Sequence, residues 1–203
     1  MSFSSEVKEE LSRQDTSARH CRLAELAAII GMCGDVCISA MERYRLRIHT
    51  ENEAVARKCF TLLRKTFSIN SDVSVHLHKR NGKGSQIYTL LIRDHAEVLR
   101  VLQALKLVDA AGEIQEQVSP ANQLLVQKSC CRRAFIRGAF LAAGSISNPE
   151  KSYHFEIVCS NPEKATAIRD LIQSFDVDAK IVLRKKYHVV YVKESDGLAD
   201  LLG

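Results

Sequence analysis

The feature that most constrains how this chain can fold is an internal copy. A shift of 110 positions sets "CRLAELAAIIGMCG" (Cys21 to Gly34) on "CRRAFIRGAFLAAG" (Cys131 to Gly144), with Cys, Arg, Ala and the final Gly coinciding and Ala28 falling on Gly138. The segments that follow repeat as well. After Gly34, "VCISAMERYRLRIHTE" reads as strand, tight turn and strand, because Tyr44, Leu46 and Ile48 alternate with Arg45, Arg47 and His49. "NEAVARKCFTLLRKTF" is an amphipathic helix, "DVSVHLHKR" and "SQIYTLLIR" form a hairpin about Asn81-Gly82, and "DHAEVLRVLQAL" is a helix capped by Asp94. Beyond Gly144 the order recurs: a short strand, "SYHFEIVCS", a helix with Asn161 as cap and Pro162 at its first position, the hairpin "DAKIVLRKKYHVVYVKE" and a closing helix in "SDGLADLLG". Each half is therefore helix, hairpin, helix, hairpin, helix.

The predicted organisation is an N-terminal amphipathic helix over 1–20, a first half over 21–104, a connector over 105–128 with a short helix from Ser119, and a second half over 129–203. Neither half is large enough to bury a sufficient core alone, so one α+β body with a pseudo-twofold axis is expected. In the first helix of each half small residues recur at helical spacing: Ala24, Ala28 and Gly31, then Ala134, Gly138 and Ala142. Such a stripe lets two helix backbones approach closely, and it places this pair of helices against each other at the axis.

Of the 203 residues, 46% are hydrophobic, which rules out general disorder, and no run of eighteen apolar residues or signal-peptide core is present. A cytoplasmic chain with no membrane partner is expected. Lys and Arg number 29 against 24 Asp and Glu, a net charge of +5 that leans toward anionic partners. Residues 1–104 hold 16 basic and 12 acidic side chains, or +4 of that total, so an anion-binding surface should be stronger on the first half. The seven cysteines are odd in number and lie mostly in apolar-periodic segments, the pattern of small reduced core residues. Cys33 and Cys37 stand four apart without a second Cys or His pair at zinc-site spacing, and His76 and His78 alternate without an evident third ligand. No metal and no other cofactor is expected.

The duplicated pattern resembles the LAGLIDADG homing-endonuclease architecture: two αββαββα halves, paired motif helices, and antiparallel sheets forming a saddle over the DNA major groove. "LAAIIGMCG" (Leu26 to Gly34) and "IRGAFLAAG" (Ile136 to Gly144) are the motif-like segments. In the endonucleases an acidic residue precedes the last Gly of each motif, and the two carboxylates hold divalent ions for phosphodiester cleavage. Here those positions are Cys33 and Ala143, a poor Mg²⁺ ligand and none. Asp35 lies one residue beyond Gly34, but the other half offers only Ser145 there. The N-terminal string "MSFSSEVKEELSR" with two degenerate motifs is, more narrowly, similar to the WhiA family of regulators of sporulation and cell division in Gram-positive bacteria. That resemblance implies a nucleoid-associated, non-catalytic DNA-binding domain with double-stranded DNA and a partner transcription regulator as its partners. Family members usually continue into a helix-turn-helix domain, which is not found before the chain ends at "SDGLADLLG".

Strand alternation assigns the DNA-facing set. On the first half it comprises Arg45, Arg47, His49, His76, His78 and Arg80, with Lys79 and Lys83 at the turn; on the second, Lys180 and Arg184, with Lys185 and Lys186 at the turn. Glu42, Asp72 and Glu156 dilute it in part. "HKRNGKG" lies between two strands rather than between strand and helix, so it reads as a hairpin turn and not a phosphate loop. No nucleophilic triad is readable from spacing, and no small-molecule substrate is evident. The alternative to DNA binding is a scaffold whose saddle receives a protein while a helix-turn-helix domain elsewhere contacts DNA.

Overall fold

The computed structural model describes residues 2–41, 43–80, 83–108, 111, 113–114, 123–148, 150, 153–193 and 197–203, without the side chains of 77–80 and 83. A leading helix α1 (Phe3–Arg13) precedes the first half, which runs α2 (Arg19–Cys33), β1 (Gly34–Ile38), β2 (Tyr44–Thr50), α3 (Glu53–Phe67), β3 (Asp72–Arg80), β4 (Lys83–Ile92) and α4 (His95–Ala104). A 3₁₀ turn at Gln123–Leu125 lies in the connector. The second half runs α5 (Ser129–Ala143), β5 (Gly144–Ile146), β6 (Phe155–Cys159), α6 (Pro162–Gln173), β7 (Ala179–Arg184), β8 (Tyr187–Val192) and α7 (Leu198–Leu202). Ser119, Gly112, Glu42 and the Asn81-Gly82 turn fall outside the described residues.

Local chemistry sets the boundaries. The Asn52 side chain accepts from the N–H groups of Ala54 and Val55, Asp94 accepts from Glu97 and Asn161 from Lys164, so α3, α4 and α6 each start on a side-chain cap. Helix α3 stops where Ser68 turns left-handed at φ 59°. The two motif helices instead start without a side-chain cap, after Ala18 and Lys128. Each passes directly into a strand through glycine, for a steric reason. A Cβ on Gly34 would stand 2.5 Å from the Ile30 carbonyl oxygen, and one on Gly144 would run into the Phe140 ring and its carbonyl.

Each half carries one four-stranded antiparallel sheet, ordered β1-β2-β4-β3 and β5-β6-β8-β7. The registers correspond: Gly34 stands opposite Ile48, and Gly144 opposite Ile157. Leu46, Ile48, Leu90 and Ile92 point from the first sheet into the core, as do Phe155, Ile157, Val190 and Val192 from the second. Helices α2 and α5 make the most extensive contact between any two described helices and join both sheets into one core. The Phe140 and Phe155 rings stack there with centroids 5.2 Å apart. Helix α1 lies against α3 of one half and against α5 and β5 of the other, and the Ser4 hydroxyl accepts from the Ile146 N–H. The leading helix therefore spans both halves. Val73 and Val75 share the core-facing parity of β3 yet remain exposed, because β3 is an edge strand that the helices do not cover.

Candidate nucleic-acid interface

The register of the first sheet assembles one outer face. Asp35 and Cys37 of β1 stand opposite Arg47 and Arg45 of β2; His49 is opposite Thr89, Thr89 opposite Ser74, and Ile87 opposite His76. Arg45, Arg47, His49 and His76 are all exposed on it. The strands place the backbones of His78, Lys79, Arg80 and Lys83 along the same hairpin, with Lys79 on the opposite parity from His78 and Arg80; their side chains lie outside the described set.

Charge on this face is more balanced than alternation alone predicts. Asp35 grips Arg47 in two hydrogen bonds, 3.1 Å from Nε and 2.8 Å from Nη2, and lies 3.5 Å from His49 Nδ1. Asp72 engages Arg93 at 2.8 Å. Exposed pairs of this kind contribute at most about 1 kcal/mol, so a phosphate can compete for the arginine. Arg45 has no ion pair among the described residues.

The second sheet departs further from expectation. Lys180 and Arg184 do lie on its outer face, but Lys180 pairs with Asp178 at 3.2 Å and Arg184 with Glu156 at 2.5 Å. Glu156 is largely buried and also contacts His154. Each of these cations thus has a local carboxylate partner: the exposed Lys180–Asp178 pair is as open to competition by a phosphate as Arg47–Asp35, whereas Arg184 is held by the largely buried Glu156. Lys185 and Lys186 form the exposed turn, with the Lys186 ammonium 5.4 Å from the Tyr187 ring centroid. Val158, Val189 and Val182 run across the strands in one row beside Tyr187 and Tyr191; of these Val158 and Tyr187 are exposed, Val182 and Tyr191 half-buried and Val189 buried.

The two motif helices end side by side. The Cys33 thiol contacts the Ala142 carbonyl oxygen at 3.7 Å, and Ala143 is the last helical residue of α5. A cleft of about 470 Å³ opens here, lined by Lys8, Cys33, His49, Asn52, Ile87 and Ala142 among others. Burial pushes the Cys33 thiol up to about 11, so it stays protonated near neutrality. Lys8 reaches in from α1 with its ammonium 5.7 Å from the Phe140 ring centroid, and burial lowers its pKa. Where the resemblance calls for a carboxylate at each motif end, this chain has a protonated thiol and a methyl group, while Lys8 and Glu51 also line the cleft. The contribution of Lys8 is not readable from sequence, since it arrives from a helix outside the duplicated unit.

Higher along the helix pair, Ala24, Ala28, Gly31, Ala134 and Gly138 are buried and Ala142 is half-buried. A Cβ on Gly138 would collide with the Glu25 carbonyl oxygen and stand 3.0 Å from Ala28 Cβ. Sequence reasoning missed the charges beside this contact. Glu25 is fully buried; its carboxylate lies 3.1 Å from Arg137 Nε and 3.4 Å from Lys58 Nζ, and accepts from the Thr16 hydroxyl at 2.6 Å. Lys58 also donates to the Gln14 carbonyl oxygen at 2.6 Å, and Arg137 to that of Leu202 at 3.4 Å.

The cysteines are not uniformly dispersed core residues. Cys59 and Cys159 are buried, Cys37 is exposed and 3.7 Å from Asp35, and Cys33 and Cys37 do not form a pair. Cys21, Cys130 and Cys131 instead converge with His20 at the other end of the motif helices. The internal copy carried a signal for this, because the shift of 110 sets Cys21 on Cys131 and His20 on Cys130.

Two four-stranded sheets, duplicated about a close pair of glycine-terminated helices, define a LAGLIDADG-type protein. The fold of I-DmoI in complex with DNA and Mn agrees with it at a TM-score of 0.59, 15% identity, over 92% of this chain and 98% of that one. Full-length DUF199/WhiA from Thermotoga maritima superposes at a TM-score of 0.71, 22% identity, over 100% of this chain and 61% of that one. The WhiA N-terminal LAGLIDADG-like domain matches residues 19–108, and the WhiA LAGLIDADG-like domain residues 132–203. The chain is 49% identical over 202 residues to the probable cell division protein WhiA of Lachnoclostridium phytofermentans and 41% identical over 206 residues to that of Alkaliphilus metalliredigens. It belongs to the WhiA family. It spans 64% and 63% of the length of those two relatives. No described helix is long and apolar enough to cross a membrane.

Proposed function

We propose that this chain is a non-catalytic DNA-binding domain of a WhiA-type regulator of cell division or sporulation, acting in the cytoplasm at the nucleoid with a partner transcription regulator. The observation that carries the reading is the pair of motif ends: Cys33 and Ala143 stand where a LAGLIDADG nuclease needs carboxylates, on an otherwise retained scaffold. Support for DNA comes from the outer face of the first sheet, with Arg45 unpaired among the described residues and Arg47 held only by an exposed pair, and from a charge of +4 over residues 1–104. The exposed Val158 and Tyr187 on the outer face of the other sheet favour a second reading there, contact with a protein partner.

The purified chain should not nick plasmid or duplex DNA with Mg²⁺ or Mn²⁺. Metal-dependent nicking that disappears in Asp35→Ala would contradict this. Binding to duplex DNA should be weak and salt-sensitive, roughly 10⁻⁴ to 10⁻⁶ M at physiological salt. Arg45→Ala with Arg47→Ala should weaken it on every sequence and flatten the plot of log K against log salt by about one unit per lost contact. Asp35→Asn, which frees Arg47, should act in the opposite direction and steepen that slope by up to about one unit. Lys180→Ala with Arg184→Ala should have the smaller effect, since Arg184 is held by the largely buried Glu156 and the first half carries most of the net charge. Unchanged binding in the Arg45/Arg47 variant would assign DNA contact elsewhere and favour the protein-scaffold reading.

A further inference from the structure

We propose that His20, Cys21, Cys130 and Cys131 form a metal site for a thiophilic divalent cation, Zn²⁺ by its donor set, which clamps the two halves at the start of the motif helices. His20 and Cys21 lie in the first turn of α2, and Cys130 and Cys131 in the first turn of α5. Their four ligand atoms all fall within 4.8 Å of one another, and His20 Nδ1 is 3.2 Å from both the Cys21 and Cys131 sulfurs. Tetrahedral Zn²⁺ with Zn–S near 2.3 Å and Zn–N near 2.0–2.1 Å needs donors about 3.5–3.8 Å apart, a small adjustment from this arrangement. Three thiols and one imidazole form a zinc-type set, whereas Mg²⁺ and Ca²⁺ require oxygen donors.

The surroundings suit the charge and the access that such a site needs. Both helices start without a side-chain cap, so the positive ends of their dipoles point toward the ligand set. Three thiolates and one Zn²⁺ carry a net charge of −1, and Lys128, whose charge acts on Cys131, and Arg133, which lines the cleft beside Cys21 and Cys130, supply compensating charge. His20 and Cys130 are exposed, and a cleft reaches the cluster from each side, one lined by Cys21 and Cys130 and the other by His20 and Cys131. Binding replaces three S–H bonds by Zn–S bonds and releases three protons, with no change of oxidation state. Helices of 15 residues separate this cluster from Cys33 and Ala143 by about 20 Å, so its occupancy is independent of the DNA-facing surface.

The test uses the whole chain, purified under reducing conditions and loaded with Zn²⁺ or Co²⁺. One metal per chain is expected. Co²⁺ should give the visible bands of a tetrahedral ion and a near-ultraviolet thiolate charge-transfer band. Chelation should lower the melting temperature of the parent protein. Cys130→Ser alters an exposed side chain and should remain folded, yet it should lose the charge-transfer intensity of one thiolate and weaken Zn²⁺ binding beyond the roughly 10–100-fold cost of losing an outer hydrogen-bond partner. Its melting temperature should no longer respond to chelator. Substoichiometric metal in the parent protein, an octahedral Co²⁺ spectrum, metal binding unchanged in Cys130→Ser, or a Cys21 disulfide in metal-free protein kept under reductant would each overturn the proposal.

Discussion

Glu25→Ala should destabilise the chain by about 3–5 kcal/mol, the largest effect expected of any single substitution discussed. The carboxylate is completely buried between Lys58, 4% exposed, and Arg137, 11% exposed, so neither cation has water to replace it. Removing it leaves two facing cations in a low-dielectric interior, which costs far more than the net contribution of the intact pairs. The network also ties five segments together: the stretch before α2 through Gln14 and Thr16, α2 through Glu25, α3 through Lys58, α5 through Arg137 and α7 through the Leu202 carbonyl. Urea denaturation should show a lowered midpoint with an unchanged slope if the loss is confined to the native state. Glu25→Gln keeps the shape and the hydrogen bond from Thr16 but not the charge, and should also lose stability. A Glu25→Ala midpoint equal to that of the parent would mean that the two cations find water, and that the halves are less tightly joined than described.

Gly138 gives the second large effect, with a sign that separates close packing from ordinary helix propensity. In an unconstrained helix interior Gly→Ala stabilises by about 0.8–1.0 kcal/mol. At 138 the added methyl would meet the Glu25 backbone oxygen and Ala28 Cβ, neither of which can rotate away, so Gly138→Ala should destabilise. Gly138→Leu should cost about 1–3 kcal/mol or more, because overpacking at a backbone contact forces the helices apart. The obstacle is the Glu25 backbone, which Glu25→Ala leaves in place, so any non-additivity between the two substitutions arises through Arg137, which neighbours Gly138 and pairs with the Glu25 carboxylate. Gly138→Leu as stable as the parent would remove the close approach of α2 and α5.

Much of the architecture is legible in the sequence because its signals are local. Asp94, Asn161 and Pro162 mark helix starts through their own hydrogen-bonding or ring chemistry, and Leu46 and Ile48 alternate with Arg45 and Arg47 whatever the strand pairs with. What escaped depends on register and on tertiary approach. That Asp35 faces Arg47 follows only once the β1–β2 pairing sets Gly34 opposite Ile48, and that Glu156 meets Arg184 requires two strands separated by β8 to bring long side chains together. Glu25, Lys58 and Arg137 lie on helices where isolated charges read as solvent-facing; only the packing of α2, α3 and α5 turns them inward. The thiol and imidazole cluster was within reach, because a repeat that superposes Cys21 on Cys131 about a twofold axis must bring the two helix starts together.

The most direct test of a DNA role is a backbone amide chemical-shift map of the isotopically labelled chain titrated with a short duplex at low salt. The largest shifts should fall on β1, β2 and the outer-face positions of β3 and β4, centred on Arg45, Arg47, His49 and Thr89, and should collapse as salt is raised. Shifts confined to α6 and α7, or an absence of salt-sensitive shifts on the first sheet, would contradict DNA binding by that face.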